Sequence, residues 1–471
     1  MALAVRRRAG GLDTLGLSGD EAVYLGQARA IREGLLPEVR AHPPLLGLVL
    51  RLVPDGTVGE AVPRGTSVVI GIVAVVVAGL LARELAGRAA GAVAAFAVAT
   101  MPYHADVTRL VLVEVPMAST MGVALLLAVR SLREGRTRLF EGAAATLGVA
   151  TLFKETAVLS GVALAVAVLV GALRVPRSVA VRACGWYALV VSAYPAYLLA
   201  TGGLRAAEEY LRWQVSRAVP AGPGYAEVVL PRIGWGVLAA AGIGAVLALA
   251  RHQPAGITVL LSVVVPAAFY VVWPISSYPY LLVLIVPLAA LAGAGVAALG
   301  TAMRTGREPT RTSVIVVGAG AVVVLGATPA TGEAPELPGA SGVPAVREAA
   351  TWLSSQSDGP IVTAAPWVAN VVRTYAPGRS VASVRPSVTD VGRLNPAERG
   401  RTVANLPPDA VVVVWDAWTA SRDVEATARL LDAVRLRGGR VGHVEGRSPP
   451  RAARLLVVVY HVPPARVGGR A

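Results

Sequence analysis

The segment TSVVIGIVAVVVAGLLAREL, residues 66–85, decides the fold class of this chain. A helix rises about 1.5 Å per residue, so roughly 20 apolar residues are needed to cross the hydrocarbon core of a bilayer. The only charged residues of this segment, Arg83 and Glu84, stand at its end. The segment therefore predicts a membrane-spanning helix.

The composition of the whole chain agrees with a membrane protein. Of 471 residues, 55% are hydrophobic and 15% are charged, against roughly 25% charged residues in soluble domains. The net charge is +15, but the arginines separate apolar segments and form no basic face interleaved with aromatic residues. We therefore expect no nucleic-acid partner. The single cysteine, Cys184, excludes an intrachain disulfide and a Cys-rich metal site.

Further apolar segments extend the pattern, and we predict a polytopic α-helical membrane protein with about ten transmembrane helices. The predicted spans are residues 66–85, 89–101, 111–129, 142–153, 156–173, 186–200, 235–250, 257–272, 280–300 and 313–325. Arginines are concentrated in alternate loops between these spans. The positive-inside rule makes those loops cytoplasmic and puts the opposite loops, with the C-terminal tail, on the extracytoplasmic side.

The composition of the sequence changes after the last predicted span. Residues 327–344 are rich in proline and glycine and predict a linker. Predicted strands at 360–364, 410–415 and 454–462 alternate with predicted helices at 343–354 and 423–436, which indicates a small α/β domain with a largely parallel sheet. The predicted organisation is a first extracytoplasmic loop (1–65), a transmembrane module (66–326), the linker, and an extracytoplasmic α/β domain (345–471).

Two adjacent carboxylates lie in the predicted first outer loop, in the stretch GLSGDEAVY, residues 16–24. One interpretation is structural, because Asp20 could cap a helix that begins at Glu21. The other is chemical, because a carboxylate at the membrane surface can act as a general base or hold a divalent cation. The residues alone leave both interpretations open.

A further acid and the only lysine of the chain fall at outer ends of predicted spans. Glu114 lies in RLVLVEVPM, and a carboxylate in an apolar run is a functional hypothesis by default. The alternative is an ion pair between Glu114 and Arg109. Lys154, in ATLFKETAVL, is either a cation that snorkels to the interface or an anchor for a phosphate. The neighbouring Glu155 could pair with Lys154 or ligate a metal.

The long outer loop contains YLRWQVSRAVP, residues 210–220. Its Arg217 lies among aromatic and apolar residues. That mixture suits a surface for a lipid phosphate and a sugar, and it equally suits an ordinary interfacial helix.

Four motifs in order carry a resemblance: DEAVY…ARAIREG…HPPLL, RLVLVEVPM, GVATLFKETAVL and SSYPYLLVLIVPLAALAG, spread over residues 16–300. With these motifs the chain resembles the dolichyl-phosphate-mannose–protein mannosyltransferase family of the GT-C glycosyltransferase superfamily, in the bacterial branch that includes the lipid A aminoarabinose transferases. The resemblance implies the GT-C fold. It also implies transfer of one sugar, mannose or another hexose or pentose, from a polyprenyl-phosphate carrier to an acceptor hydroxyl outside the cytoplasm, with inversion.

The resemblance also implies roles for individual residues. Asp20 would be the general base, and Glu21 and Glu114 would support it. A divalent metal is left open as a cofactor, with Glu21, Glu114 and Glu155 as its candidate ligands. The expected substrate-binding residues are Tyr24, His42, Arg109, Lys154 and Arg217, of which Lys154 and Arg217 would hold the carrier phosphate. The expected partners are the polyprenyl-phosphate sugar, an acceptor protein, lipid or envelope glycan, and the bilayer of the plasma membrane.

The chain departs from the family pattern at its start. The family has a spanning helix before the acidic loop, whereas about fifteen residues precede that loop here, and they include Arg6, Arg7 and Arg8. These arginines fall on the outer side, against the charge rule. The family's commoner second acid is aspartate, where this chain has Glu114.

Two other classes of function compete with a glycosyltransferase. A transporter of lipid-linked sugars would place ionisable groups near the bilayer midplane and often shows inverted repeats, whereas the acids here gather on the outer side and no repeat is visible. A non-catalytic scaffold that presents the C-terminal domain gives no reason for acids and cations to converge on one side.

Overall fold

The computed structural model describes residues 2–10, 12, 17–35, 43–53, 60–205, 207–208, 225, 229–273, 277–305, 361–363, 366–375, 381–383, 411–414, 440–446 and 455–461. The chain divides into two compact units. The first comprises Met1–Leu12 and Gln27–Pro335, and the second comprises Asp13–Gly26 and Glu336–Ala471.

The described part of the first unit is helical, and the helix α2 runs across the division between the units. In chain order the α-helices are α1 (Ala2–Ala9), α2 (Gly19–Arg32), α3 (Leu45–Leu50), α4 (Ala61–Thr100), α5 (Pro102–Thr108), α6 (Glu114–Glu134), α7 (Thr137–Phe153), α8 (Val158–Leu169), α9 (Arg177–Val191), α10 (Ala193–Ala200), α11 (Leu230–Ile233), α12 (Trp235–Ala250), α13 (Pro254–Val272) and α14 (Ile285–Thr305). Two 3₁₀ helices, Glu155–Ala157 and Tyr278–Leu284, precede α8 and α14.

The helix α4 is two helical arms joined by a sharp reversal. Ala86 and Gly87 leave the helical conformation, and Gly87 has φ of +87°, which glycine adopts without steric cost. The arms fold back on each other so closely that a Cβ atom on Gly91 would lie 2.7 Å from the carbonyl oxygen of Gly79. The predicted spans 66–85 and 89–101 are these two arms.

Five helical segments in the described part of the chain are long and apolar enough to cross a bilayer: Ala61–Thr100, Glu114–Glu134, Arg177–Ala200, Pro254–Val272 and Tyr278–Ala302. Glu155–Leu169 and Trp235–Ala250 are shorter apolar helices. The predicted segment 142–153 falls within α7, which spans Thr137–Phe153. Every predicted span therefore overlaps a helix except 313–325, which lies outside the described residues. These helices confirm the prediction of a polytopic helical membrane protein.

Small residues allow α12 and α14 to pack with their backbones in contact. A Cβ atom on Gly244 would lie 2.1 Å from the carbonyl oxygen of Leu291, and one on Gly295 would lie 2.3 Å from that of Ala240. Close backbone approach at small residues is the usual way that helices associate in a bilayer. This pair closes the bundle against α4, which α14 also contacts.

The two ends of the helical bundle differ in charge. At one end, Glu84 forms ion pairs with Arg130 at 3.1 Å and Arg133 at 2.7 Å, and Glu141 pairs with Arg182 at 2.8 Å. These acids balance only part of the arginine charge there, as expected for cytoplasmic loops. The connections at the opposite end contain the candidate site.

The second unit contains a five-stranded sheet with the strand order β2-β1-β3-β5-β4. Its strands are β1 (Ile361–Thr363), β2 (Val381–Ser383), β3 (Val411–Val414), β4 (Arg440–Gly446) and β5 (Leu455–His461), and the helix α15 (Pro366–Tyr375) follows β1. The strands predicted within 360–364, 410–415 and 454–462 are present. The helices predicted at 343–354 and 423–436 lie outside the described residues.

The sheet is mixed, whereas the sequence predicted a largely parallel one. β1 is parallel to both β2 and β3, but β5 is antiparallel to β3 and to β4. The difference comes from β4, RVGHVEG, whose two glycines and charged residues mask the strand pattern. A strand at that place allows an antiparallel pair with β5 without a crossover helix.

Candidate active site

A buried ion pair joins two connections at the end of the bundle opposite the arginine-rich loops. Lys154 follows the last residue of α7 in an extended conformation, and Glu114 begins α6. Lys154 Nζ lies 2.5 Å from Glu114 Oε1, with the side chains 9% and 5% exposed. The first turn of a helix stabilises a carboxylate, so both the lysine and the helix end hold the charge of Glu114.

Tyrosine rings surround this ion pair. The ammonium of Lys154 lies 4.3 Å from the ring centroid of Tyr280, in the 3₁₀ helix Tyr278–Leu284. The Tyr280 ring in turn lies 5.5 Å from that of Tyr270, near the end of α13. A cation over an aromatic face is stabilised by the ring quadrupole, more strongly when water is excluded. The ring of Tyr280 and the carboxylate of Glu114 therefore both stabilise the ammonium of Lys154.

A second polar cluster, which the sequence did not predict, lies at the same end of the bundle. Asp106 Oδ2, on α5, accepts hydrogen bonds from Arg232 Nε at 3.1 Å, from Arg232 Nη2, and from the Tyr278 hydroxyl at 3.2 Å. The Tyr103 hydroxyl donates to the Tyr278 carbonyl at 2.6 Å. An acid within MPYHADVTRL, a predicted outer loop, was the signal that could have drawn attention to Asp106.

The N-terminal residue Arg8 is held by buried hydrogen bonds to neighbouring helices. Arg8 is fully buried and donates to the carbonyls of Val98 at 3.0 Å and Ala99 at 3.1 Å, at the C-terminal end of α4. Arg8 also donates to Thr108 Oγ1 and, at 2.6 Å, to His104 Nδ1. Cations at helix C-termini are stabilising, so Arg8 joins α1 to α4 and α5.

Electrostatics at this junction follow from burial. Burial lowers the pKa of His104 well below its usual value, and the adjacent Arg8 lowers it further. The neutral imidazole can then accept the hydrogen bond from Arg8 at Nδ1. Burial lowers the pKa of Arg8 to about 10, with Arg7 lowering it further and Asp106 opposing the shift. Arg8 therefore remains charged at physiological pH.

Arg109, one of the expected substrate-binding residues, lies at the end of α5. Its Nη2 donates a hydrogen bond to the carbonyl of Gly10. Burial lowers the pKa of Arg109, while Asp106 opposes this shift. The ion pair of Glu114 is formed with Lys154, whereas the sequence had offered Arg109 as the alternative partner.

The first-loop acids lie in the second unit, and they have different surroundings. Glu21 is fully buried: its Oε2 accepts a hydrogen bond from the Ser18 N–H at 3.0 Å, and the Glu21 N–H donates to Ser18 Oγ at 3.3 Å. This reciprocal pair is a capping box at the start of α2. Ser18 therefore caps the helix for which Asp20 was one candidate. Asp20 is exposed in the first turn of α2, and Tyr24 is buried.

We expect Ser18→Ala to lower the stability of the second unit by about 1 kcal/mol, because the change removes the side-chain acceptor of the capping box. Thermal unfolding of the purified chain measures this loss. Asp20→Asn is the matched comparison, since Asp20 is exposed and outside the box. Equal melting temperatures for Ser18→Ala and the wild type would contradict the capping role.

Three candidate residues remain to be located: His42, Arg217 and Glu155. His42 and Arg217 lie outside the described residues. Glu155 begins the 3₁₀ helix Glu155–Ala157 and is half-buried.

The residues named as metal ligands do not form a metal cluster in the described part of the chain. No group of three His, Cys, Asp or Glu side chains there could hold a metal ion. Glu114 is paired with Lys154 and Glu21 belongs to the capping box. The described residues therefore do not fit a metal centre.

The chain is similar to one sequence family and to several solved structures. Residues 41–197 match the family model described as dolichyl-phosphate-mannose-protein mannosyltransferase. No curated protein sequence matches the chain. The crystal structure of ArnT from Cupriavidus metallidurans in the apo state is similar, with a TM-score of 0.66 and 14% identity over 98% of this chain and 96% of that one.

Other solved structures share this fold. The same Cupriavidus metallidurans protein bound to undecaprenyl phosphate matches with a TM-score of 0.63 and 14% identity, over 97% of this chain and 96% of that one. The archaeal oligosaccharyltransferase AglB from Archaeoglobus fulgidus, in complex with an inhibitory peptide and a dolichol-phosphate, matches with a TM-score of 0.61 and 12% identity, over 97% of this chain and 76% of that one. The predicted resemblance is confirmed: residues 41–197 match the dolichyl-phosphate-mannose-protein mannosyltransferase family model, and nearly the whole chain is similar in fold to ArnT and AglB.

Proposed function

We propose that this protein transfers one sugar from a polyprenyl-phosphate carrier to an acceptor hydroxyl on the extracytoplasmic face of the plasma membrane, with inversion. Mannose or another hexose or pentose is the sugar, and the acceptor is a protein, a lipid or an envelope glycan. The observation that carries the proposal is the buried Glu114–Lys154 pair, held at the end of the bundle opposite the arginine-rich loops. The solved relatives with undecaprenyl phosphate and dolichol-phosphate support a polyprenyl-phosphate donor.

Charge placement supports the extracytoplasmic side. A carboxylate and an ammonium buried near an apolar helix are costly, and they persist mainly where they act on a substrate or ion. The loops that the positive-inside rule makes cytoplasmic are at the other end of the bundle. The tyrosines around Lys154 belong to the class of side chain that favours the interface between lipid and water. The site therefore faces the outer leaflet in our proposal.

We assign the general base to Asp20. The base must reach the acceptor hydroxyl within hydrogen-bond distance, and the exposed side chain of Asp20 in the first turn of α2 is accessible to one. Glu21 keeps that turn in place through the capping box. Inversion then follows from one direct attack of the hydroxyl on the anomeric carbon, as the carrier phosphate leaves.

We assign binding of the carrier phosphate to Lys154 together with Arg217. A lysine ammonium is a point charge with three donors and commonly binds phosphate. The buried ion pair with Glu114 fixes the position of this ammonium. Tyr24, His42 and Arg109 remain our candidates for contacts with the sugar or the acceptor.

The test is sugar transfer in membranes from radiolabelled polyprenyl-phosphate mannose, and then from other polyprenyl-linked sugars. We expect Asp20→Asn to reduce transfer by roughly 100-fold or more, because general-base catalysis typically contributes 10²–10⁴-fold. The matched control is Glu33→Gln, an exposed acid at the other end of the same helix region, which should transfer normally.

Two outcomes would contradict parts of this proposal. Normal transfer by Asp20→Asn at matched expression would exclude Asp20 as the base. No transfer by the wild type with any polyprenyl-linked sugar would instead favour a transporter or a scaffold. In that case neither Asp20→Asn nor Glu33→Gln should change the function of the protein.

A further inference from the structure

Asp106 presents its two carboxylate oxygens very differently. Oδ2 accepts three hydrogen bonds, two from the Arg232 guanidinium and one from the Tyr278 hydroxyl. Oδ1 accepts none from the residues that the structure describes. The Asp106 side chain is 27% exposed, while Arg232 is only 13% exposed. One oxygen is therefore fixed and the other is accessible.

This geometry differs from the usual structural ion pair. An arginine that serves only to neutralise a carboxylate commonly donates two parallel hydrogen bonds, one to each oxygen. Here both guanidinium donors converge on one oxygen, and an ionised carboxylate can accept about four hydrogen bonds in all. Arg232 and Tyr278 therefore orient the carboxylate while its second oxygen keeps its capacity to accept.

The charges around Oδ1 select the kind of ligand. Three arginines, Arg8, Arg109 and Arg232, interact electrostatically with Asp106, but an ionised carboxylate oxygen can only accept, so its ligand must bring a hydrogen-bond donor. A metal cation is disfavoured because the Arg232 guanidinium is adjacent, and because no second or third acidic ligand joins Asp106 among the described residues. A neutral hydroxyl donor remains, since it can hydrogen-bond to a carboxylate without adding charge.

The two tyrosines of this cluster pack against each other and hold Asp106 in place. The Tyr278 and Tyr103 rings pack edge to face, with centroids 4.9 Å apart. Both tyrosines use their hydroxyl groups in hydrogen bonds within the protein, to Asp106 and to the Tyr278 carbonyl. Both side chains are buried, with Tyr103 at 0% and Tyr278 at 6% exposure. They therefore fix the position of the carboxylate and leave its second oxygen as the accessible group of this cluster.

We propose that Asp106 Oδ1 accepts a hydrogen bond from a sugar hydroxyl, so that Asp106 is a substrate-binding residue oriented by Arg232 and Tyr278. The proposal rests on the proposed function, because it assumes a sugar substrate. It goes further by assigning sugar recognition to a cluster separate from the Glu114–Lys154 pair. A site that hydrogen-bonds a substrate hydroxyl strongly rejects a ligand that lacks it.

The experiment compares two probes on the purified full-length chain: undecaprenyl-phosphate mannose and bare undecaprenyl phosphate. The wild type should bind the mannose-bearing lipid more tightly. We expect Asp106→Asn to reduce this preference by roughly 10- to 100-fold, the contribution of a hydrogen bond to a charged group, with bare-carrier binding unchanged. Tyr278→Phe removes one orienting donor and keeps the charge, so it should reduce the preference by a smaller factor.

A second measurement shows whether Asp106 binds the sugar of the carrier lipid or a sugar of the acceptor. It measures transfer at saturating donor as the acceptor membranes are varied. A lost preference for the mannose-bearing lipid places the donor sugar at Asp106. An intact preference with a KM for acceptor raised at least tenfold, and thermal unfolding as in the wild type, places an acceptor sugar there.

The proposal is overturned if Asp106→Asn changes neither quantity, or if it changes only the melting temperature, which is the signature of a structural ion pair. If the wild type transfers sugar and Asp106→Asn does so with the same lipid preference and the same KM for acceptor, the proposed function is supported and this inference is wrong. A wild type that neither prefers a glycosylated carrier nor transfers any sugar would overturn the proposed function, and this inference with it.

Discussion

Lys154→Met is expected to destabilise the protein by about 3–5 kcal/mol, the usual result of removing one partner of a buried ion pair. Methionine matches the length and shape of the lysine stem, so the change removes the charge and leaves the packing almost intact. Glu114 would then remain 5% exposed beside an apolar helix without its cation. We expect a large decrease in the temperature of half-unfolding in detergent, and loss of sugar transfer.

The double variant Lys154→Met with Glu114→Gln separates the charge effect from packing. It removes both charges, so it should recover most of the stability lost in Lys154→Met, although it should remain inactive in transfer. Residues in one ion pair show coupling energies of roughly 0.5–3 kcal/mol in such double-mutant cycles. Additive effects of the two single changes on stability would show that Lys154 and Glu114 do not interact in the folded protein.

Hydropathy predicted the membrane helices because the signal is local. A bilayer requires about 20 apolar residues in sequence, and each backbone polar group must be satisfied inside the helix. The reversal at Ala86–Gly87 was likewise recognised as a break between two spans, since Arg83 and Arg88 flank it. The short helices α5 and α11 were not predicted, because seven and four residues carry too little periodicity.

The sequence identified several polar residues of the site but not their partners. Glu114 and Lys154 were recognised individually because charges in apolar runs are rare, yet they are separated by 40 residues in sequence. Asp106 and Arg232 are separated by 126 residues. Packing of the helices determines which of these charges meet, and helix packing depends on small-residue contacts such as Gly244 on Leu291 that a hydropathy pattern does not specify.

The sequence allowed a helix cap near Asp20 to be predicted, but not the residue that forms it. The stretch Ser18-Gly-Asp-Glu21 has the serine-to-glutamate spacing of a capping box, and the structure forms it. Asp20 was one candidate for the cap, although Ser18 is the residue that satisfies the spacing. In the C-terminal unit, the runs of valine in β3 and β5 were strong enough to predict strands, whereas β4 was not.

Arg8→Ala is expected to cause a loss of stability comparable to that of Lys154→Met, because each buried hydrogen-bond partner left unsatisfied costs about 1–3 kcal/mol. The fully buried Arg8 guanidinium donates to three backbone carbonyls, those of Ala4, Val98 and Ala99. Alanine would leave these acceptors without their donor, and buried acceptors without partners are costly. Thermal unfolding in detergent measures the loss.

Arg6→Ala is the matched control, because Arg6 is exposed on the same helix α1 and an exposed charge contributes little to stability. Arg8→Lys should fall between the two, since a lysine keeps the charge at the end of α4 but lacks the planar fork that reaches several carbonyls at once. Hydrogen exchange should show the amides of α1 and α5 opening earlier in Arg8→Ala than in Arg6→Ala, because Arg8 joins α1 to Thr108 and His104 of α5. If Arg8→Ala and Arg6→Ala unfold at the same temperature, the N-terminal helix does not hold α5, and the position of Asp106 on α5 depends on Arg232, Tyr278 and the packing of α5 against α4.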